Sequence, residues 1–292
     1  MEDDFWRTLP EEFDATTYQS IHPDLAGLAD AELKTHYETF GINEGRASNS
    51  LRNRNDFASL VPNSASALEI GPFCNPLLQG PNVSYFDILS QEALVERARQ
   101  IGLDPSKVPY IDFISPTGEL PSIRRRFDVV LSSHCIEHQP DLIGHLQEVG
   151  QLLLPGGAYF LLVPDKRYCF DHFIPVSNLA ELIAAHHEQR KVHSLRSVIE
   201  HRALTTHNDC LRHWQGDHGD ALENIGQRYL QALREFDNSE GSYIDVHAWY
   251  FTPDSAANIL STLRSVYLSP LSVYRVYSTR YGANEFWIIL RA

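Results

Sequence analysis

The sequence predicts an α/β protein built on a doubly wound, largely parallel sheet. Five short apolar runs recur between residues 68 and 163, and the first four each stop at a glycine or a polar group. Most of the gaps between them are long enough to hold a helix, which is the pattern of consecutive βαβ units.

The elements follow in order. Leu68-Glu69-Ile70 stops at Gly71 and leads into Pro72-Phe73-Cys74-Asn75-Pro76. Glycine there permits a sharp turn and the approach of a ligand to the backbone. Val83-Ser84-Tyr85-Phe86 stops at Asp87, and Val108-Pro109-Tyr110-Ile111 stops at Asp112. Phe127-Asp128-Val129-Val130-Leu131 runs into Ser132-Ser133-His134, and Leu154-Pro155-Gly156-Gly157 precedes a fifth strand over 158–163. Two final strands are expected at Ser272 to Ser278 and Glu285 to Arg291, separated by the turn Tyr281-Gly282-Ala283-Asn284. Ligands of such sheets bind outside the carboxyl ends of the strands, where Gly71, Asp87, Asp112 and Ser133 are expected.

This order of strand ends resembles the class I S-adenosylmethionine-dependent methyltransferases, over residues 60 to 165 and again over the C-terminal strands. The resemblance implies a Rossmann-like seven-stranded sheet, with helices on both faces and S-adenosylmethionine as cofactor. It also implies roles for individual residues. Glu69 would fix the loop after the first strand. Asp87 would take the ribose hydroxyls, since an ionised carboxylate offers only acceptor sites. Asp112 would hold the adenine amino group, and Gly71, Pro72, Asn75, Ser133 and His138 complete the cofactor set. The family loop reads Glu-x-Gly-x-Gly-x-Gly, whereas Phe73 and Asn75 stand at the later glycine positions here. Asparagine tolerates positive φ; phenylalanine does so only at a cost.

Composition agrees with a globular enzyme. The chain has 292 residues, 43% hydrophobic and 21% charged, enough for one full domain and a small extra unit. No apolar run approaches the ~18 residues of a bilayer span, and the acidic start Met1-Glu2-Asp3-Asp4 is unlike a secretion signal. Cys74, Cys135, Cys169 and Cys210 show no metal spacing, so reduced thiols in a cytoplasmic protein are expected. A net charge of −14 argues against a nucleic-acid partner, whose phosphates need clustered Lys and Arg.

Half of that charge lies in residues 1–52, where 11 acidic side chains face 4 basic ones for a net −7. Leu25, Leu28, Leu33, Tyr37 and Phe40 give two short helices an apolar side, and Gly41 suits a helix stop. With Tyr18, Pro23-Asp24 and Glu44-Gly45-Arg46, this segment resembles a small helical module that accompanies bacterial glycosyltransferases. Residues 1–52 are therefore expected to form a separable module, suited to a glycan-synthesis partner or a second copy of the chain. Ala47 to Asn55 reads as the linker, and the catalytic domain as 53–292.

An insertion of about 172–243 follows the fifth strand and is expected to form a helical lid. A helix is expected at Asn178 to Arg190, where Asn178 and Glu181 make a capping pattern. A second is expected between Gly219 and Asn238, from the stripe Leu222, Ile225, Tyr229, Leu233 and Phe236. The lid region holds eight of the chain's 14 histidines, densest at His213-x-x-x-Asp217-His218-x-Asp220. That spacing matches no known site, and no metal is expected.

Methyl transfer from a sulfonium requires in-line alignment and, for a hydroxyl acceptor, removal of its proton. His247, with Asp245 as orienting carboxylate, is expected to be the base slightly ahead of His134. Pro164-Asp165-Lys166-Arg167-Tyr168, Asp245-Val246-His247 and Asn284-Glu285-Phe286-Trp287 resemble a bacterial methyltransferase group found beside polysaccharide biosynthesis enzymes. The resemblance implies a sugar or glycan acceptor held by Lys166, Arg167, Tyr168, Asp171 and Trp249. Two alternatives stay open: a non-carbohydrate metabolite as acceptor, and a catalytically silent cofactor-binding scaffold, prompted by the eroded glycine loop.

Overall fold

The computed structural model describes residues 3–292; Met1 and Glu2, the start of the acidic N-terminal segment, lie outside them. Seven strands form one sheet: β1 (Ala67–Ile70), β2 (Val83–Asp87), β3 (Phe113–Ile114), β4 (Phe127–Ser133), β5 (Leu153–Pro164), β6 (Ser272–Tyr277) and β7 (Glu285–Arg291). Their order is β3-β2-β1-β4-β5-β7-β6. Strands β1 to β5 are parallel, and β7 runs antiparallel to both neighbours. The expected Rossmann-like, seven-stranded α/β architecture is present.

The helices are α1 (Asp3–Thr8), α2 (Ala15–Ile21), α3 (Asp30–His36), α4 (Arg54–Ala58), α5 (Gln91–Gln100), α6 (Leu142–Leu152), α7 (Leu179–His187), α8 (Leu195–Ala203), α9 (Cys210–Trp214), α10 (Ile225–Asn238) and α11 (Pro253–Ser265). None among the described residues is long and apolar enough to cross a membrane.

Strand alternation divides the core into two layers. Leu68, Ile70, Val130, Leu161, Val163 and Ile288 pack with α6 and α11 on one face. On the other, Ala67, Val129, Leu131, Phe160, Leu162 and Ile289 pack against Trp6, Leu9, Leu51 and Phe57. Phe57 stacks on Trp287 at 5.4 Å and meets Phe160 at 5.2 Å. The second layer therefore depends on the N-terminal segment, because the β1–β2 connection forms no helix and leaves that face to be covered from elsewhere.

This packing crosses the expected boundary at residue 52. Residues 13–42 have a core of their own around Tyr18, Leu25, Leu33 and Tyr37. The flanking residues, however, belong to the sheet. Tyr274 and Tyr277 hydroxyls donate to the Trp6 and Pro10 carbonyls, both at 2.7 Å. Buried Arg280 donates to the Arg46 and Leu51 carbonyls and to Asn49 Oδ1.

The third strand begins later than expected. Val108 and Ile111 are drawn into an apolar cluster with Leu94 and Ala98 of α5. Asp112 precedes β3 rather than closing it. Its carboxylate accepts from the Tyr85 amide at 2.8 Å, halfway along β2, so the residue at the carboxyl end of β3 is Ser115. In β5, Gly157 is required by close approach: a Cβ there would lie 2.9 Å from the Asp128 and Leu154 carbonyls.

The insertion contains four helices, not two. α7 has the expected capping box, with Asn178 and Glu181 bonded reciprocally; α10 carries Ile225, Tyr229, Leu233 and Phe236 of the expected stripe, whereas Leu222 precedes the helix and is exposed, as is Tyr229. α8 and α9 were not signalled by periodicity. Both are short, and α8 is held largely by packing on α10, where Val198 and Ala232 share a core with Ile244 and Val246.

Candidate active site

The site lies at the carboxyl edge of β1, β2 and β4. Gly71 turns there with φ +70°, and no atom lies within 4 Å of where a Cβ would stand. Glu69, buried behind it, accepts the Leu77 and Leu78 amides at 2.9 and 2.8 Å, fixing the loop with side-chain oxygens instead of further glycines. Burial raises the Glu69 carboxyl to about 7 against the pull of those amides. Phe73 adopts φ +44°, contrary to the expectation that Asn75 would take the left-handed position. Its ring packs on the cluster around Cys74, with the Arg97 guanidinium 5.8 Å away, and this contact holds the costly conformation. Asp87 is buried at the end of β2, and its Oδ1 accepts the Leu89 amide at 3.0 Å. A carboxylate has about four acceptor positions, leaving room for ribose hydroxyls.

At the end of β4, His134 takes a left-handed backbone with φ +50°. Its Nε2 lies 2.9 Å from Glu285 Oε2. Arg54, the first residue of α4, clamps the same carboxylate at 2.6 Å and also donates to Ser133 Oγ at 3.0 Å. Burial pushes Glu285 up, but His134 and Arg54 outweigh it and hold its pKa at about 2. His134 thus has an orienting carboxylate, supplied by the antiparallel strand β7. Arg54 lies in no motif, Glu285 lies in the Asn284-Glu285-Phe286-Trp287 run without a signal for its partner, and at 231 positions apart only the fold joins them.

These groups open on a cleft of about 600 Å³ lined by Arg52, Arg54, Gly71, Asn75, His134 and Tyr281 among others. Pro72 and Ser133 also line it. A slightly smaller hollow lies between α6 and the residues after β3, lined by Thr117, Gly118, Asp141, His186 and Arg190 among others.

His247 is 5% exposed and its Nδ1 bonds Asp171 Oδ2 at 2.7 Å. Asp245, expected as its partner, instead lies 3.0 Å from His138 Nδ1 and bridges to Arg97. The reason is strand-like alternation: 245 and 247 share a direction without touching, and Asp171 reaches in from the other end of the lid.

The expected acceptor residues are largely committed within the protein. Arg167 pairs with buried Asp165 at 2.6 Å, and Lys166 donates to the His172 carbonyl at 2.6 Å. Trp249, 4% exposed, is a core residue whose indole N–H donates to the Gln139 carbonyl. Tyr168 stacks on Trp214 at 3.7 Å, and Trp214 in turn meets Tyr281 at the cleft. In the dense histidine group, His213 and His218 meet at 3.0 Å. Asp217 pairs with Arg212, and Asp220 accepts the Leu222 amide.

A doubly wound sheet with an acidic residue at the end of β2 and an open glycine turn after β1 is an architecture of the Rossmann-like type. A family model described as a methyltransferase domain matches residues 66–229, and the chain belongs to that family. It is a methyltransferase with S-adenosylmethionine as cofactor. No curated protein matches the chain. Among solved structures it is similar to a Rhodobacter sphaeroides protein assigned as a zinc-dependent alcohol dehydrogenase (16% identity, 85% of this chain and 92% of that one, TM-score 0.45). Others are the methyltransferase CcbJ of Streptomyces caelestis (11%, 86% and 95%, 0.43) and an S-adenosylmethionine-dependent methyltransferase of Mesorhizobium loti (15%, 81% and 95%, 0.39).

The residues present fit the cofactor. The space beside Gly71 admits its methionine part, and Asp87 has acceptor capacity for its ribose. When bound, the cofactor supplies an electrophilic methyl group; the protein has to orient the acceptor and take its proton.

Proposed function

We propose that the chain methylates a hydroxyl of a sugar or glycan precursor, with His134 as the base. The observation that carries this reading is the His134–Glu285 pair, which opens on the cleft beside Gly71 and Asn75. The ionised Glu285 accepts the Nε2 proton, which leaves Nδ1, 3.8 Å from Glu137 Oε1 and not bonded to it, as the lone pair for the proton of an acceptor hydroxyl. His247 is the weaker candidate, because it is buried and its Nδ1 is already committed to Asp171. A base must come within hydrogen-bond reach of its substrate.

The sugar is supported by the character of the cleft. Tyr281 is 57% exposed at its rim and offers a flat apolar face, while Arg52, Asn53 and Asn284 supply hydrogen-bonding groups. The test is methyl transfer by the full chain to a panel of sugars, nucleotide sugars and small non-carbohydrate alcohols. Turnover of sugars by the native chain, lost in His134→Ala with cofactor affinity retained, is the expected result. Turnover confined to non-carbohydrates would overturn the sugar assignment, and full activity of His134→Ala would overturn the base.

A further inference from the structure

Glu137 occupies the single helical turn after β4, is 1% exposed, and has no hydrogen-bond partner on either carboxylate oxygen. A buried carboxylate without a partner is among the most unfavourable arrangements in a protein interior. Three imidazole nitrogens face it without bonding it: His134 Nδ1 at 3.8 Å, and His138 Nε2 and His247 Nε2, each 3.9 Å from Glu137 Oε1. His134 Nε2 is already held by Glu285, and the other two are the ones grouped with Glu137. Ligand atoms on adjacent vertices of a transition-metal ion, each about 2.0–2.2 Å from it, lie about 3–3.5 Å apart. The three ligand atoms lie within 4.8 Å of one another, and a contraction of about half an ångström would bring each imidazole nitrogen to the carboxylate spacing of a shared ion.

The outer ring nitrogens are also placed for this. His247 Nδ1 bonds Asp171, and His138 Nδ1 lies 3.0 Å from Asp245. The carboxylate behind His247 fixes its ring and tautomer by a hydrogen bond, and the one behind His138 makes a close charge contact without an aligned hydrogen bond. The backbone joins the two halves independently, since the Ala248 and Trp249 amides both donate to the Glu137 carbonyl at 2.7 and 3.3 Å. We infer that Glu137, His138 and His247 bind one divalent first-row transition-metal ion. Two imidazoles and a carboxylate favour such an ion over Mg²⁺ or Ca²⁺, which take oxygen ligands.

Two other histidine groups compete for the same reading: His172–His213–His218 has no orphaned atom, and in Asp171–His201–His247 only Asp171 Oδ1 lacks a partner while its Oδ2 is already bonded, whereas both Glu137 oxygens are orphaned. In His172–His213–His218, His172 Nδ1 meets the Arg167 carbonyl and the His213 nitrogens meet His218 Nδ1 and the His207 carbonyl. In Asp171–His201–His247, His201 Nδ1 accepts the His247 amide and His247 Nδ1 holds Asp171.

The test is titration of the metal-stripped full chain with Co²⁺, followed by visible absorption, and with Zn²⁺ by calorimetry. One ion per chain is expected, with no comparable binding of Mg²⁺. The near-isosteric Glu137→Gln should weaken binding at least 10-fold while keeping a cooperative melt, and Asp171→Asn should weaken it about 10- to 100-fold through His247. His172→Ala should bind as the native chain does. Absence of a stoichiometric ion in the native chain, native affinity in a folded Glu137→Gln, or loss of the ion in His172→Ala would each overturn the site.

Discussion

Asp171 and His247 share a 2.7 Å hydrogen bond although 76 positions separate them. One residue precedes the insertion and the other follows it, so this contact ties the two ends of the insertion together. It also determines which imidazole nitrogen is free. With Nδ1–H donated to Asp171, Nε2 is left as a lone pair directed at Glu137.

The buried carboxylate at the end of β2 should control cofactor affinity. Asp87→Ala is expected to weaken S-adenosylhomocysteine binding by about 1–3 kcal/mol, the usual loss for hydrogen bonds to a charged group. Calorimetry on the purified variant checks this, and unchanged affinity would remove Asp87 from the site.

Glu285 should act on turnover through His134 rather than on cofactor binding. Glu285→Gln keeps the shape but loses the charge that orients the imidazole and pairs with Arg54. A fall of at least about 10-fold in kcat is expected, with little change in cofactor Kd. A pure KM effect would assign Glu285 to acceptor binding instead.

The N-terminal segment should prove integral to stability. Trp6 and Leu9 lie buried in the layer that covers the β1–β2 side of the sheet. Trp6→Ala is expected to cost about 3–5 kcal/mol in denaturant unfolding. A chain beginning at Asn53 should melt well below the full protein or fail to fold, whereas an undiminished melting temperature would restore residues 1–52 as a separable unit.

Acid should destabilise the fold through buried imidazoles. His145, on the buried face of α6, has Nε2 3.0 Å from the Tyr159 hydroxyl, and burial lowers its pKa to about 4. Below the unfolded value near 6.5 the unfolded chain takes up a proton that the folded chain refuses, so stability falls as pH drops through this window. His145 alone should account for about 2 kcal/mol between pH 7.5 and 5. Denaturant unfolding at the two pH values measures this, and His145→Gln should show a shallower dependence than the native chain.

The sequence by itself determined the sheet, the cofactor class and the first strand end. Apolar runs ending in Gly71, Asp87 and Ser133 are local patterns, and the last two strands, 272–277 and 285–291, fell within a residue of expectation for the same reason. The Glu69 contact to its own loop is likewise local in sequence. What only the tertiary structure decided were the partnerships between distant residues. Asp112 lost the strand end because Val108 and Ile111 were drawn into the α5 cluster. Trp249 went to the core, and the partner of His247 came from residue 171 instead of 245. Arg54 reached Glu285 across the whole chain. Periodicity reports which face of an element is buried, but carries no information about which other element's side chain will meet it there. A buried charge is satisfied by whichever group the packing delivers, and that is settled only when the layers close.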